Sequence, residues 1–241
     1  MRYISKSEYE TLHKENLIPI DIKINVDDFL QEIQKYTKWH KWGDKFQELE
    51  RYALPLVNLN GELYNEQEPA CWPLDRWNFL NFYEDTPENF NNFYKDVLDD
   101  NIDNFLLEYD FKKPTSLLNI ASLSSLNQIK KYMLRSCILK WGRGGLFHPH
   151  IDTWHPVRWL RLWGCTNPEN LKLRFKSESG EKIWNDVQKE YEYYEIQENI
   201  EPGRLYLFNA LKWHDAIAND SVYHFFIAID IDYAKDINFR G

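Results

Sequence analysis

The chain has 241 residues, of which 43% are hydrophobic and 16% aromatic with ten tryptophans, and its formal net charge is −9. That length and apolar content suffice for one large domain over residues 1–241, and the aromatic share favours pleated sheets over a helical bundle. The acidic balance argues against a nucleic-acid partner, the three cysteines without CxxC spacing suit a reducing, cytoplasmic setting, and the sequence shows neither an apolar leader nor a run long enough to cross a bilayer, so no membrane association is expected.

In the stretch NVDDFLQEIQKYTKW, Val26, Phe29, Leu30, Ile33 and Tyr36 recur at helical spacing, with Asn25 or Asp27 able to cap the start. RYALPLVNLNGELY predicts a strand running into an Asn-Gly turn, and Pro55 favours an edge position for it. TPENFNNFYKDVLDD predicts a second helix, with Thr86 as N-cap and Pro87 at the first helical position.

Beyond about residue 115 the texture becomes extended. MLRSCILKW predicts a strand ending in a glycine-rich loop, WLRLWGC and NLKLRF predict two short strands, and RLYLFNA and SVYHFFIAIDI two more after the Pro202-Gly203 turn. His214 falls on the connection between these last two, and residues 177–199 fit either a helix or a long hairpin. Helices first and a run of strands afterwards predict a mainly β fold. The expected form is a double-stranded β-helix (jelly roll, cupin-like) over 126–235, buttressed by a helical and mixed N-terminal part over 1–125.

The stretch GLFHPHIDTWHPV holds His148, His150, Asp152 and His155, in a chain with seven histidines. In extended backbone, positions i and i+2 share a side, so His150 and Asp152 can converge while Ile151 faces away. His214, in a segment expected to return to the same sheet system, supplies a third ligand. Two imidazoles and one carboxylate on one face of an ion leave positions open opposite, the arrangement of non-haem Fe(II) oxygenases.

Residues 132 to 232 resemble the Fe(II)/2-oxoglutarate-dependent dioxygenase superfamily, with a flavour of the aspartyl/asparaginyl and free-proline hydroxylase branches. The likeness lies in a strand, a glycine loop, His-x-Asp, an Arg-bearing strand, a Pro-Gly turn, a strand, a His, an Asn and a last strand. It implies a hydroxylase with His150, Asp152 and His214 as iron ligands, Fe(II) as the metal, 2-oxoglutarate and O2 as co-substrates, and an amino acid, peptidyl residue or small metabolite as substrate. The family's frequent carboxylate-anchoring Arg on the final strand is replaced here by His224, which as a cationic imidazole could pair with the carboxylate or else sits as a core histidine, and the Arg-bearing strand offers Arg158 or Arg161 as substitutes. In a regular strand these two face opposite sides, and by its spacing Arg158 matches the family position better.

Rival expectations follow from the same residues. His148 and His150 share strand parity and open a cupin-like His-x-His, although no suitably placed Glu follows. Zn²⁺ also accepts two His and a carboxylate and supports hydrolysis, with Asp215 or Glu201 as bases near in sequence. A non-catalytic jelly-roll binding module is the third alternative. Lys140, Arg174, Arg204 and Lys212 are further cations near the site in sequence, and Trp141, Trp154, Trp159, Trp163 and Trp213 divide between core and pocket wall.

Overall fold

Two antiparallel sheets face each other across an interior rich in aromatic and charged side chains. The structure is a computed structural model that describes residues 6–41, 51–64, 108–152 and 159–235. The helix expected over 86–100 lies outside these residues, as do Cys71, Trp154, His155 and Arg158.

In chain order the elements are α1 (Lys6–Leu12), β1 (Leu17–Lys23), α2 (Val26–Ile33), β2 (His40–Lys41), β3 (Arg51–Asn58), β4 (Lys113–Pro114), a series of 3-10 turns between Ser116 and Tyr132, and β5 (Met133–Trp141). They continue with β6 (Leu146–His150), β7 (Trp159–Cys165), β8 (Leu171–Ser177), β9 (Glu181–Asn185), β10 (Glu190–Ile196), β11 (Arg204–Phe208), β12 (His214–Ala218) and β13 (Val222–Asp230). The larger sheet runs β1-β11-β7-β13-β5-β3-β2, with β4 also paired to β3, and the smaller runs β6-β12-β8-β10-β9. From β5 onward the chain alternates between the two, with one hairpin interposed on the smaller sheet. This alternation is the winding of a double-stranded β-helix.

Alternation along each strand sorts the side chains by face. On the outer face of the larger sheet Leu54, Ile138, Leu162, Phe225 and Ile227 are fully buried, and Phe29 of α2 meets Phe225 edge-on at 5.1 Å. Asn25 caps α2 through the Asp28 N–H, while Glu32 accepts a hydrogen bond from Ser122 N at 2.9 Å and ties the helix to the 3-10 turns. Burial of Phe29 and Ile33 contributes roughly 1.5–3 kcal/mol each. The helix ends at Ile33 rather than running on through Tyr36, where single turns take over.

Two details differ from the sequence expectations, and one open alternative resolves as a hairpin. Strand β3 is interior, with β5 on one side and the two-residue strands β2 and β4 on the other. Pro55 is accommodated because its carbonyl accepts from Thr115 Oγ1 at 2.6 Å, so its missing N–H lies on the gap between β2 and β4 and removes no bond to β5. The interval 177–199 forms the β9–β10 hairpin. His214 is not on a connection but starts β12, a strand hidden in the sequence because HDAIA is short and buries its Asp.

The Pro202-Gly203 turn fixes where β11 begins. Gly203 has φ +74°, donates to Cys165 O at 2.8 Å and abuts Ile24 O, so an added Cβ has no room. Gly203→Ala is expected to lower stability by roughly 2–5 kcal/mol, combining left-handed backbone strain with overpacking; denaturant unfolding measures this, and an unchanged midpoint contradicts it.

Candidate metal centre

Strand β6 ends at His150 and β12 begins at His214, and the two are direct partners in the antiparallel ladder. Their rings therefore stand side by side on the inner face, with centroids 4.3 Å apart. Two residues on, the chain bends at Asp152, whose Oδ1 lies 3.4 Å from His150 Nε2 and 3.8 Å from His214 Nε2. One ligand atom from each of the three residues falls within 4.8 Å of the others.

Each imidazole directs its Nδ1–H at the carbonyl two residues earlier, His150 at His148 O (2.6 Å) and His214 at Lys212 O (2.9 Å). This fixes the tautomer and leaves Nε2 as the lone-pair donor. Burial pushes the His214 pKa down to about 3, so it is neutral and ready to ligate at ordinary pH. Burial also resists ionisation of Asp152, but the neighbouring His150 ring and the Arg161 guanidinium beside Oδ2 outweigh it and hold the carboxyl far below the usual range. Two imidazole nitrogens and an anionic oxygen form a donor set suited to a divalent first-row cation.

A β-bulge removes the rival His148. Between His214 and Ala216 of β12 lie two steps, whereas their partners His150 and Phe147 are three apart. The extra residue turns Phe147 and His150 both inward, with ring centroids 5.4 Å apart, and leaves His148 exposed. The equal parity of His148 and His150 expected from a regular strand therefore does not hold.

The loop between β11 and β12 is braced from α1. Tyr9 Oη accepts from Ala210 N at 2.9 Å, Ala210 O accepts from Asp152 N at 3.0 Å, and Asn16 O accepts from Asn209 N at 2.9 Å. His13 stacks on the Tyr9 ring at 3.9 Å. The first helix thus helps to place the backbone of a ligand 143 residues later.

Arg161 is 2% exposed and points inward, with Nε 3.3 Å from Asp152 Oδ2 and Nη2 3.2 Å from Glu108 Oε1. Its guanidinium lies over Phe226 at 3.5 Å and Trp159 at 4.5 Å. Glu108 in turn accepts two bonds from Arg135, each 2.5 Å. Neither Glu108 nor Arg135 was singled out from the sequence. The signal for Arg135 was a charge at an inward position of the apolar strand MLRSCILKW, which demands a buried partner. Segment 101–110 carried no comparable signal for Glu108.

His224 also faces inward, opposite Leu139 and Cys165 in its ladders and 5.5 Å from the Trp163 ring. Neither of its ring nitrogens, nor Arg161 Nη1, nor Trp141 Nε1, has a hydrogen-bond partner among the described residues, although all are buried. The other cations lie elsewhere. Arg174 pairs with Asp215 and Glu181, Arg204 with Glu201, and Lys212 with Asn16, while Lys140 sits over Trp39. Asp215 is 1% exposed on the opposite face of β12 from His214, and Glu201 is an exposed partner of Lys23 and Arg204, so neither is aimed at the donor set as a base.

No family model matches the chain, and no curated protein matches it. Solved structures similar to it include a prolyl hydroxylase from Trichoplax adhaerens in complex with a hypoxia inducible factor oxygen degradation domain peptide fragment, 11% identical with a TM-score of 0.42 over 95% of this chain and 90% of that one. The epimerase SnoN in complex with Fe3+, alpha ketoglutarate and nogalamycin RO is 11% identical, with a TM-score of 0.41 over 98% of this chain and 93% of that one. Peruvianin-I, a cysteine peptidase from Thevetia peruviana latex, is 13% identical, with a TM-score of 0.26 over 45% of this chain and 56% of that one. At such identities and scores, the functional argument rests on the site itself.

Burial holds three histidines below their ordinary 6.5, His13 at about 4 and His214 and His224 at about 3. Below pH 6.5 the unfolded chain takes up protons that the folded chain refuses, so their contribution to stability is complete above that pH and drains as pH falls towards 3. Each such group adds a slope of about 1.4 kcal/mol per pH unit. In metal-free protein, His224→Leu is expected to flatten the acid limb of the stability curve by one such slope, read by denaturant unfolding at a series of pH values. An unchanged limb contradicts the buried neutral imidazole.

Proposed function

We propose that the chain is an Fe(II)- and 2-oxoglutarate-dependent dioxygenase that hydroxylates an unactivated C–H of an amino acid, a peptidyl residue or a small metabolite. The observation that carries this reading is the convergence of His150, Asp152 and His214 within 4.8 Å, with both imidazoles tied back through Nδ1. A set of three ligands leaves positions for a chelating co-substrate and O2. Iron and 2-oxoglutarate, when bound, supply an oxidant strong enough to take hydrogen from carbon, with succinate and CO2 as co-products.

The chain's own part is to bind, orient and exclude water. His150 Nε2, His214 Nε2 and Asp152 Oδ1 would hold the metal. The buried donors without partners support an acidic co-substrate in the same interior: Arg161 through Nη1, His224 through one ring N–H, and Trp141 through Nε1. Burial pushes the His224 pKa down to about 3, so it enters as a neutral donor and the charge facing a carboxylate comes from Arg161. Arg158 remains a second cation for this role on the grounds of spacing alone. Trp141, Trp163, Phe175, Phe208 and Phe226 line the interior and keep it dry, which strengthens every charge interaction inside it.

A single domain over 1–241 and a cytoplasmic setting belong to the same proposal; β1 and β3 lie in the same sheet as β5, which supports the first. No helix among the described residues is long and apolar enough to cross a membrane.

Protein loaded anaerobically with Fe(II) is expected to convert 2-oxoglutarate to succinate on exposure to O2, slowly even without its C–H substrate, and Asp152→Ala should abolish this. Tight Zn²⁺ binding without succinate at any iron level would instead favour a hydrolase, and absence of metal binding would leave a binding module. In the same assay His224→Leu should raise the 2-oxoglutarate concentration for half-maximal turnover at least about tenfold, the cost of one hydrogen bond to a charged group; an unchanged value removes His224 from co-substrate binding.

A further inference from the structure

From the ligand Asp152 runs a row of four buried charges, of which Glu108 and Arg135 have no part in the proposed reaction itself. It runs Asp152, Arg161, Glu108, Arg135, alternating in sign, with side-chain exposures between 2% and 12%. Its members come from the bend after β6, from β7, from the 3-10 turn at Glu108–Asp110 and from β5. We infer that Glu108 is a positioning residue for the metal ligand Asp152, acting through Arg161 and itself held in place by Arg135.

The division of labour between the two oxygens of Asp152 leads to this assignment. Oδ1 is the oxygen near both imidazoles, while Oδ2 is 3.3 Å from Arg161 Nε. Rotation about the last bond of an Asp is soft, so a carboxylate bound on neither oxygen can present either one or both to a cation. With Oδ2 taken by Arg161, only Oδ1 is presented. Arg161 can do this only if its own plane is fixed. Phe226 and Trp159 fix it face-on, and Glu108 Oε1 fixes it end-on at 3.2 Å. Glu108 is aimed by the two-pronged grip of Arg135 Nε and Nη2, a geometry that admits one relative orientation.

Charge leads to the same conclusion. In the intact row each guanidinium meets a carboxylate, and Arg161 is shared between Glu108 and Asp152. Without the Glu108 charge, Arg161 has Asp152 alone as its carboxylate partner in the row and draws electron density from the oxygen pair that must also serve the metal. A weaker and less directed ligand results.

The inference rests on the proposed metal site, and the test separates the two. Co(II) serves as the probe, because its visible absorption reports ligand number and geometry without any turnover. Wild-type protein is titrated with Co(II) alongside Glu108→Gln, Arg135→Lys and, as a control for general loss of stability, Glu192→Gln, which breaks a buried carboxylate network on the β9–β10 hairpin. Glu108→Gln should weaken Co(II) binding about 10- to 100-fold, the range typical of groups that orient a metal ligand, and should alter the visible spectrum. Arg135→Lys keeps the charge but loses one prong, so its loss should be smaller and of the same kind; this variant carries the test if Glu108→Gln does not fold. Glu192→Gln should lower the melting temperature and leave affinity and spectrum as in wild type. Wild-type affinity and spectrum in Glu108→Gln, or in Arg135→Lys where only that variant folds, overturn the role of Glu108. Failure of the wild-type protein to bind Co(II) overturns the metal site and this inference together.

Discussion

The register between β6 and β12 is the constraint on which the candidate centre depends. Pairing His214 directly opposite His150 places two imidazoles from residues 64 positions apart on one inward face, and a slip by one residue would turn one of them out of the interior. The bulge in β6 is part of the same constraint. It spaces Phe147 and His150 so that an aromatic wall and a ligand both face inward from a strand whose regular alternation would have separated them. Asp152 then needs no strand of its own, since its N–H is fixed by Ala210 O in the loop that leads into β12. One ribbon of two strands and the turns at its ends therefore carries all three donors.

The remainder of the fold holds that ribbon against a second wall. The larger sheet presents Trp141, Trp163 and Phe226 towards the smaller one and covers its own back with α2 and the 3-10 turns. Between the walls sit charges that an apolar core would exclude, each either paired with opposite charge or kept neutral by burial. Arg161 belongs to the first kind, and His224 to the second. An interior so polar at its centre and so aromatic at its edge is better suited to enclosing a small acidic molecule than to stabilising a sheet pair.

Much of this was legible in the chain because it rests on short-range rules. His-x-Asp uses a period of two, the glycine loop follows a strand of apolar alternation, and the strands from MLRSCILKW onward are bounded by turn residues. What the sequence hid depends on tertiary context. Strand β12 was masked by its inward His and outward Asp215, whose burial is explained only by Arg174 on β8. The hairpin at 181–196 was obscured by charges that turn out to be cross-strand partners, Lys176 with Glu192 and Lys172 with Glu181. Tyr9 and Glu108 reach the centre from turns of helix far away in sequence, and no local pattern marks a residue whose role is to brace another.

The ion pair behind His214 has a mechanical consequence. Neighbours on a strand point to opposite faces, so while His214 looks into the interior, Asp215 is gripped from outside by Arg174, which is held in turn by Glu181 on the hairpin. For the imidazole to swing away, β12 would have to roll about its own axis and tear that grip from its far side. The β9–β10 hairpin, remote from the donor set and exposing Trp184 and Tyr191 to solvent, thereby acts as a back-stop for the histidine.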